Sequence, residues 1–288
     1  MAMAELLLYP QVVLLLAPLL LRAIWAAARP ALLGMSSRSR AAVLFVMIVA
    51  PVAALMVPYV PGLAPHLPVP WRAPIAWGIA NYPSPTDWIA HSIASLIAAV
   101  LVLVPPVALF VLLFRSARQS QALARLGGER HPAGFMLVPG HGIALTIGLW
   151  RPCVLLSADV WESEHGAVIL RHEQAHVRGR HPLLLVLARA ALVLWWWVPG
   201  SARLLGDLRD ALEESADATA ARRHGRVRVA RAIIDSASSL APSPAVGFGG
   251  PSGNEQRIVA LARGSSPALT RMIVAASAVV APLWLLLF

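Results

Sequence analysis

Apolar residues in this chain come in long blocks, not at a strand or helix period. Residues 6–28, 42–63, 90–114 and 269–288 are apolar runs, each about the length that crosses a bilayer as a helix. Pro51 and Pro58 are expected to kink the second run, and Pro105-Pro106 to bend the third. The stretch 64–88 is rich in Pro and Trp and reads as an interfacial belt. Residues 115–268 are different in kind: they hold 12 of the 14 acidic residues. Within them Phe135 to Pro139, Ile143 to Leu149 and Cys153 to Leu156 read as short strands separated by Pro and Gly. Helices are predicted after Ser163, which can serve as a cap, and over Ala202 to Arg223. The three-span region is thus 1–114, the polar domain 115–268, and the last span 269–288.

One run resists the pattern. Residues 183–198 are almost wholly apolar but number only 16, with Arg189 at the middle, where a charge is costly in lipid. The segment is expected to be a buried or interfacial helix that docks the polar domain against the membrane. A true span is the alternative.

Composition supports a membrane protein. Hydrophobic residues make up 58% and charged residues 13%. Net charge is +10, and the basic groups are all arginine. Residues 29–41 hold three arginines, residues 64–88 one, and Arg115, Arg118, Arg125 and Arg130 follow the third span. The positive-inside rule then puts the N-terminus outside, the polar domain in the cytoplasm and the C-terminus outside, in the plasma membrane. Arg22 is expected to snorkel to the interface. The charge is read as orientation and contact with membrane lipids, since no aromatic cluster accompanies it as direct nucleic-acid binding would need. Arg222, Arg223, Arg226, Arg228 and Arg231 form a basic cluster that suits anionic headgroups, or a plain solvated face. Cys153 is the lone cysteine, which excludes an internal disulfide and a cysteine zinc site.

The chemistry sits at His172-Glu173-Gln174-Ala175-His176, an HExxH motif. On a helix the two histidines lie one turn apart on one face, a spacing that lets both imidazoles hold one Zn²⁺. Glu173 then lies beside the open metal position and can act as general base. The preceding apolar run Ala167 to Leu170 carries this helix into a core. Downstream, Glu213 and Asp217 share a helix face, while Glu214 points roughly 100° away. Glu213 is read as the third ligand and Asp217 as the carboxylate that orients an imidazole through its other N–H. Two readings stay open: Glu213 paired with Arg209, and Glu214 as the ligand. The strand ahead of the motif, at Ile143, Ala144 and Leu145, is the candidate edge for an extended substrate. His181, Arg178 and His141 are candidates for stabilising the oxyanion.

The expected fold is an α-helical integral membrane protein with four spans, carrying a small α+β catalytic domain of the zincin-like, gluzincin kind. In its spans, in Gly148-Leu149-Trp150-Arg151-Pro152, in Val154-Leu155-Leu156-Ser157 and in the HExxH motif, the chain resembles the BlaR/MecR-type membrane metallopeptidases. That resemblance implies His172, His176 and Glu213 as zinc ligands, Glu173 as base and Asp217 as support. It implies a signalling endopeptidase that cleaves a cytoplasmic protein, a transcriptional repressor among the candidates, or itself. No penicillin-binding sensor follows Phe288, so the resemblance is to a short form, and β-lactam sensing is not expected. Two rival readings are a non-catalytic zinc-binding transducer and a housekeeping protease resembling the HtpX type.

Overall fold

The computed structural model describes residues 10–56, 107–115, 117–118, 128–193, 198–239 and 251–263. Among the described residues no helix is long and apolar enough to cross a membrane. The predicted spans 6–28, 42–63 and 90–114 are described only in part, and the span 269–288 and the stretch 64–88 lie outside the described residues.

Helices α1 (Pro10–Leu33) and α2 (Ser37–Met56) form a hairpin. The predicted loop 29–41 shrinks to a turn at Gly34, Met35 and Ser36. Its arginines lie on helices instead. The turn is tight because Ser36 Oγ accepts the Ser39 N–H at 3.2 Å, capping α2 where four N–H groups lack helical partners. Helix α2 continues through Pro51.

Four strands follow: β1 (Glu129–His131), β2 (Phe135–Val138), β3 (Ala144–Ile147) and β4 (Cys153–Ser157). Their order is β1-β2-β4-β3, with β2 and β4 parallel and the other pairs antiparallel. The sheet is therefore one strand larger than predicted, because the polar β1 carries no apolar alternation to mark it. β3 is an edge strand.

A short helix α3 (Ala158–Glu162) leads to the motif helix α4 (Gly166–Gly179). Ser163 does not cap α4. Its hydroxyl donates to the Val160 carbonyl and it closes α3, while His165 takes the cap position of α4. The extra short helix displaces the start of α4 by the two residues that sequence reading could not see. Then come α5 (His181–Val193), α6 (Ser201–His224), α7 (Arg226–Ser239) and α8 (Pro251–Arg263). The stretch 241–254, rich in Pro, Gly and Ser, reads as a loop in the sequence, but its last four residues are helical: α8 begins at Pro251, and Pro suits a first helical position.

Three cores hold these elements. Trp25, Leu44 and Ile48 of the hairpin pack with Ala188, Ala191, Leu204 and Leu208, so α5 docks on α2 and α6. This core crosses residue 114, the boundary drawn between the three-span region and the polar domain. Val168, Ala220, Val229 and Leu261 join α4, α6, α7 and α8. Phe135, Val154, Leu156 and Leu170 fix α4 on the sheet. Arg22 donates to the Pro199 carbonyl at 2.9 Å and lies over Trp25.

Polar staples tie α6 to the hairpin. Arg29 pairs with Asp207 at 3.0 Å, and the buried Arg40 pairs with Glu214 at 2.6 Å. Burial pushes the Glu214 carboxyl up and the Arg40 guanidinium opposes this. Removing one member of such a buried pair leaves the other uncompensated, which costs more than replacing both. Arg40→Met is therefore expected to destabilise the fold by about 3 kcal/mol, and Arg40→Met with Glu214→Leu by much less. Chemical denaturation of the three proteins in detergent checks the difference.

Candidate metal centre

The site is assembled from α4, α6, α8 and β3. On α4, His172 and His176 sit one turn apart and point the same way, with their Nε2 atoms 3.0 Å apart. Glu213 reaches in from α6. Its Oε2 lies 3.4 Å from His172 Nε2 and its Oε1 3.6 Å from His176 Nε2. All three donor atoms lie within 4.8 Å of one another. Ligands held tetrahedrally about 2.0–2.1 Å from one zinc ion would lie roughly 3.3 Å apart, which the three spacings bracket. Two imidazoles and a carboxylate are also a donor set zinc favours. The residues fit a metal.

Each histidine is backed through its other nitrogen. His172 Nδ1 lies 2.9 Å from Asp217 Oδ1. Asp217 is buried and in turn accepts two hydrogen bonds of 2.8 Å from Arg257 of α8. Burial would raise the Asp217 carboxyl, but the hydrogen bonds from Arg257 and His172 outweigh it and hold it low. His172 Nδ1 therefore keeps its proton and Nε2 is left for a metal. His176 Nδ1 lies 2.8 Å from Nδ1 of His181, a buried residue at the start of α5. Two local features place His181 there. Arg180 adopts a left-handed turn (φ 50°) that ends α4 and lets α5 begin at once. Gly179 leaves room for the ring, since any Cβ would collide with His181 Nε2.

Charge follows the same geometry. Burial pushes His172 down, but the hydrogen bonds and charges of Asp217 and Glu213 outweigh it and lift it to about 10. Burial would raise Glu213, yet the hydrogen bond to His172 and both imidazoles hold it at about 2. Burial holds His176 at about 4 and, with the neighbouring His176, holds His181 at about 4. A metal must therefore displace a proton from His172 to bind.

Glu173 lies beside these groups. Its Oε2 accepts a hydrogen bond of 2.7 Å from Thr146 Oγ1 on β3. Burial pushes its carboxyl up, against the pull of His172 and Thr146. That is the direction a general base near neutral pH requires.

The structure brings His172, Glu173, His176, Glu213 and Asp217 together. It points Glu213 at the two histidines, with Arg209 feeling its charge, and it turns Glu214 away to Arg40. His181 stands behind His176 and not toward an oxyanion, and His141 is 95% exposed beside Asp159. Of the three substrate candidates, Ile143, just ahead of β3, accepts the Ser157 N–H of β4 at its carbonyl and donates its own N–H to Ser157 Oγ. By the alternation of an antiparallel ladder Leu145 also turns inward, which leaves Ala144 and Thr146 facing the open edge. Sequence reading missed Thr146, Arg257 and the role of His181. Only Thr146 carried a signal, as the one polar residue inside the predicted strand.

Comparison with known proteins adds one finding. A family model described as BlaR1 peptidase M56 matches residues 88–261, more than half of the chain and all of the site. No curated protein and no solved structure matches. The family carries a metallopeptidase role in signalling, and with it a metal. With this match added to the mostly helical fold and its small α+β unit, the chain belongs to the BlaR1 peptidase family M56.

Proposed function

We propose that this chain is a membrane-embedded, zinc-dependent endopeptidase. Its substrate is a cytoplasmic protein, a transcriptional repressor among the candidates, or the chain itself. The observation that carries the reading is the meeting of His172, His176 and Glu213 from two helices, with the carboxyl of Glu173 beside them. His172, His176 and Glu213 would hold the ion. When bound, zinc supplies a Lewis acid for the scissile carbonyl and a water of lowered pKa.

The chain's own residues do the rest. Glu173 takes a proton from the attacking water and returns it to the leaving amine. Thr146 Oγ1 holds the carboxylate of Glu173 in place through its 2.7 Å hydrogen bond. Ala144 and Thr146 offer backbone N–H and C=O groups at the free edge of β3, where an extended peptide can add as a strand. Glu213 keeps 34% of its side chain exposed, so the centre is open on that side to a substrate. Membrane placement with the centre on the cytoplasmic side rests on the arginine distribution and the apolar runs.

The rival of a non-catalytic zinc transducer gains nothing from Glu173, since a closed structural site has no use for a base. An HtpX-like layout puts spanning helices between the motif and the third ligand. Here a single helix, α5, occupies that interval among the described residues.

Comparing N-terminal peptides of cells that express wild type or Glu173→Gln tests the reading. At least one new protein N-terminus should appear with wild type only. Identical peptide sets, with both proteins present at equal levels, would count against proteolysis.

The Asp217 contact gives a smaller expectation. Asp217→Asn removes the charge that fixes the His172 ring, and zinc affinity should fall about 10–100-fold. Competition with a chromogenic chelator measures it.

A further inference from the structure

A second feature lies behind α4, away from the HExxH face. A cavity of about 2000 Å³ opens between the α1–α2 hairpin and helices α4, α6 and α8. Eight arginines and four carboxylates line it. Three of those arginines are engaged: Arg29 with Asp207, Arg40 with Glu214, and Arg257 with Asp217. The remaining five, Arg38, Arg171, Arg178, Arg222 and Arg226, share the lining with only two further carboxylates, Asp210 and Glu255, so the cavity carries an excess of positive charge.

The excess is concentrated. Arg171, on α4 next to His172, feels the like charge of Arg178, Arg222 and Arg223. Its Nε is buried and has no hydrogen-bond partner among the described residues. A buried guanidinium nitrogen without an acceptor is costly, and like charges held together add to that cost. An anion with several oxygens at the guanidinium ends that line the cavity would offset the clustered charge. The hairpin adds apolar residues to the lining of the same cavity, Leu33, Phe45 and Val46, with Leu33 and Val46 more than half exposed.

We propose that this cavity binds the phosphate headgroup of an anionic phospholipid. The phosphate lies among Arg171, Arg178 and Arg222, and an acyl chain runs along Leu33, Phe45 and Val46. Arginine forks match phosphate oxygens, and an apolar wall beside them suits a lipid over a soluble anion. Such a lipid would bridge the hairpin to the helix that bears the HExxH motif. The inference does not depend on the zinc chemistry.

Native mass spectrometry of the full-length chain in detergent tests it, after incubation with phosphatidylglycerol, phosphatidylcholine or inorganic phosphate. The expected result is a retained phosphatidylglycerol adduct, at least about tenfold more abundant than that of phosphatidylcholine. Arg178→Gln should lower it about fivefold, and Arg171→Gln with Arg222→Gln by more. Arg178 is exposed, so its variant keeps the test alive if the double variant fails to fold. Arg203→Gln, exposed on α6 outside the cavity, should leave the adduct unchanged. Equal retention of the two lipids, or retention unaffected by the cavity variants, overturns the proposal. Inorganic phosphate that displaces phosphatidylglycerol and is held as well overturns the lipid assignment in favour of a free phosphate site.

Discussion

Glu173→Gln is expected to lower kcat for peptide hydrolysis by about 10²–10⁴-fold while the protein keeps its zinc. The amide replaces the carboxyl at nearly the same volume but cannot take a proton from water. Glu173 is not one of the three converging donors, so the metal centre itself is untouched. Its surroundings fit a base and not a packing residue. The side chain is half-buried, and its loss of solvent pushes the carboxyl up, while the Thr146 hydroxyl holds it against β3. The check pairs turnover of a cleavable peptide with elemental analysis on the same preparation. Turnover within a few-fold of wild type would remove Glu173 from the chemistry.

His176→Ala is expected to strip the ion, taking the content from about one zinc per chain to almost none. Three protein ligands are the usual minimum for a catalytic zinc, and two leave the ion exchangeable with buffer. His181 cannot substitute, because its nitrogen reaches the site only through His176 Nδ1, 2.8 Å away. The variant should still fold, since the cores that hold α4 are built from Val168, one turn ahead of His172, and Leu170, on its other face. Elemental analysis and a denaturation curve together decide this. A folded variant that retains stoichiometric zinc would contradict the ligand set.

Much of the site was legible because its logic is local. The i,i+4 spacing puts His172 and His176 on one face, and the same spacing pairs Glu213 with Asp217. Facing geometry also turned Glu214 away, and the structure finds it 2.6 Å from Arg40. What stayed hidden depends on tertiary contact. Arg257 stands 40 residues from Asp217, across a Pro- and Gly-rich stretch, and no pattern links them. His181 owes its place to the left-handed turn at Arg180, which no propensity favours for arginine. The hairpin turn at Ser36 was read as a longer loop because arginines at 29, 38 and 40 suggested exposure. In the fold those at 29 and 40 instead pair with carboxylates of α6.

The joint role of two helices in one centre is the point on which the peptidase reading turns. X-ray absorption at the zinc edge, on wild type and Glu213→Ala, probes it directly. The account predicts two imidazoles and a carboxylate oxygen around zinc in wild type, and a lost or visibly altered oxygen shell in the variant. An identical shell in both proteins, at equal zinc content, would contradict it.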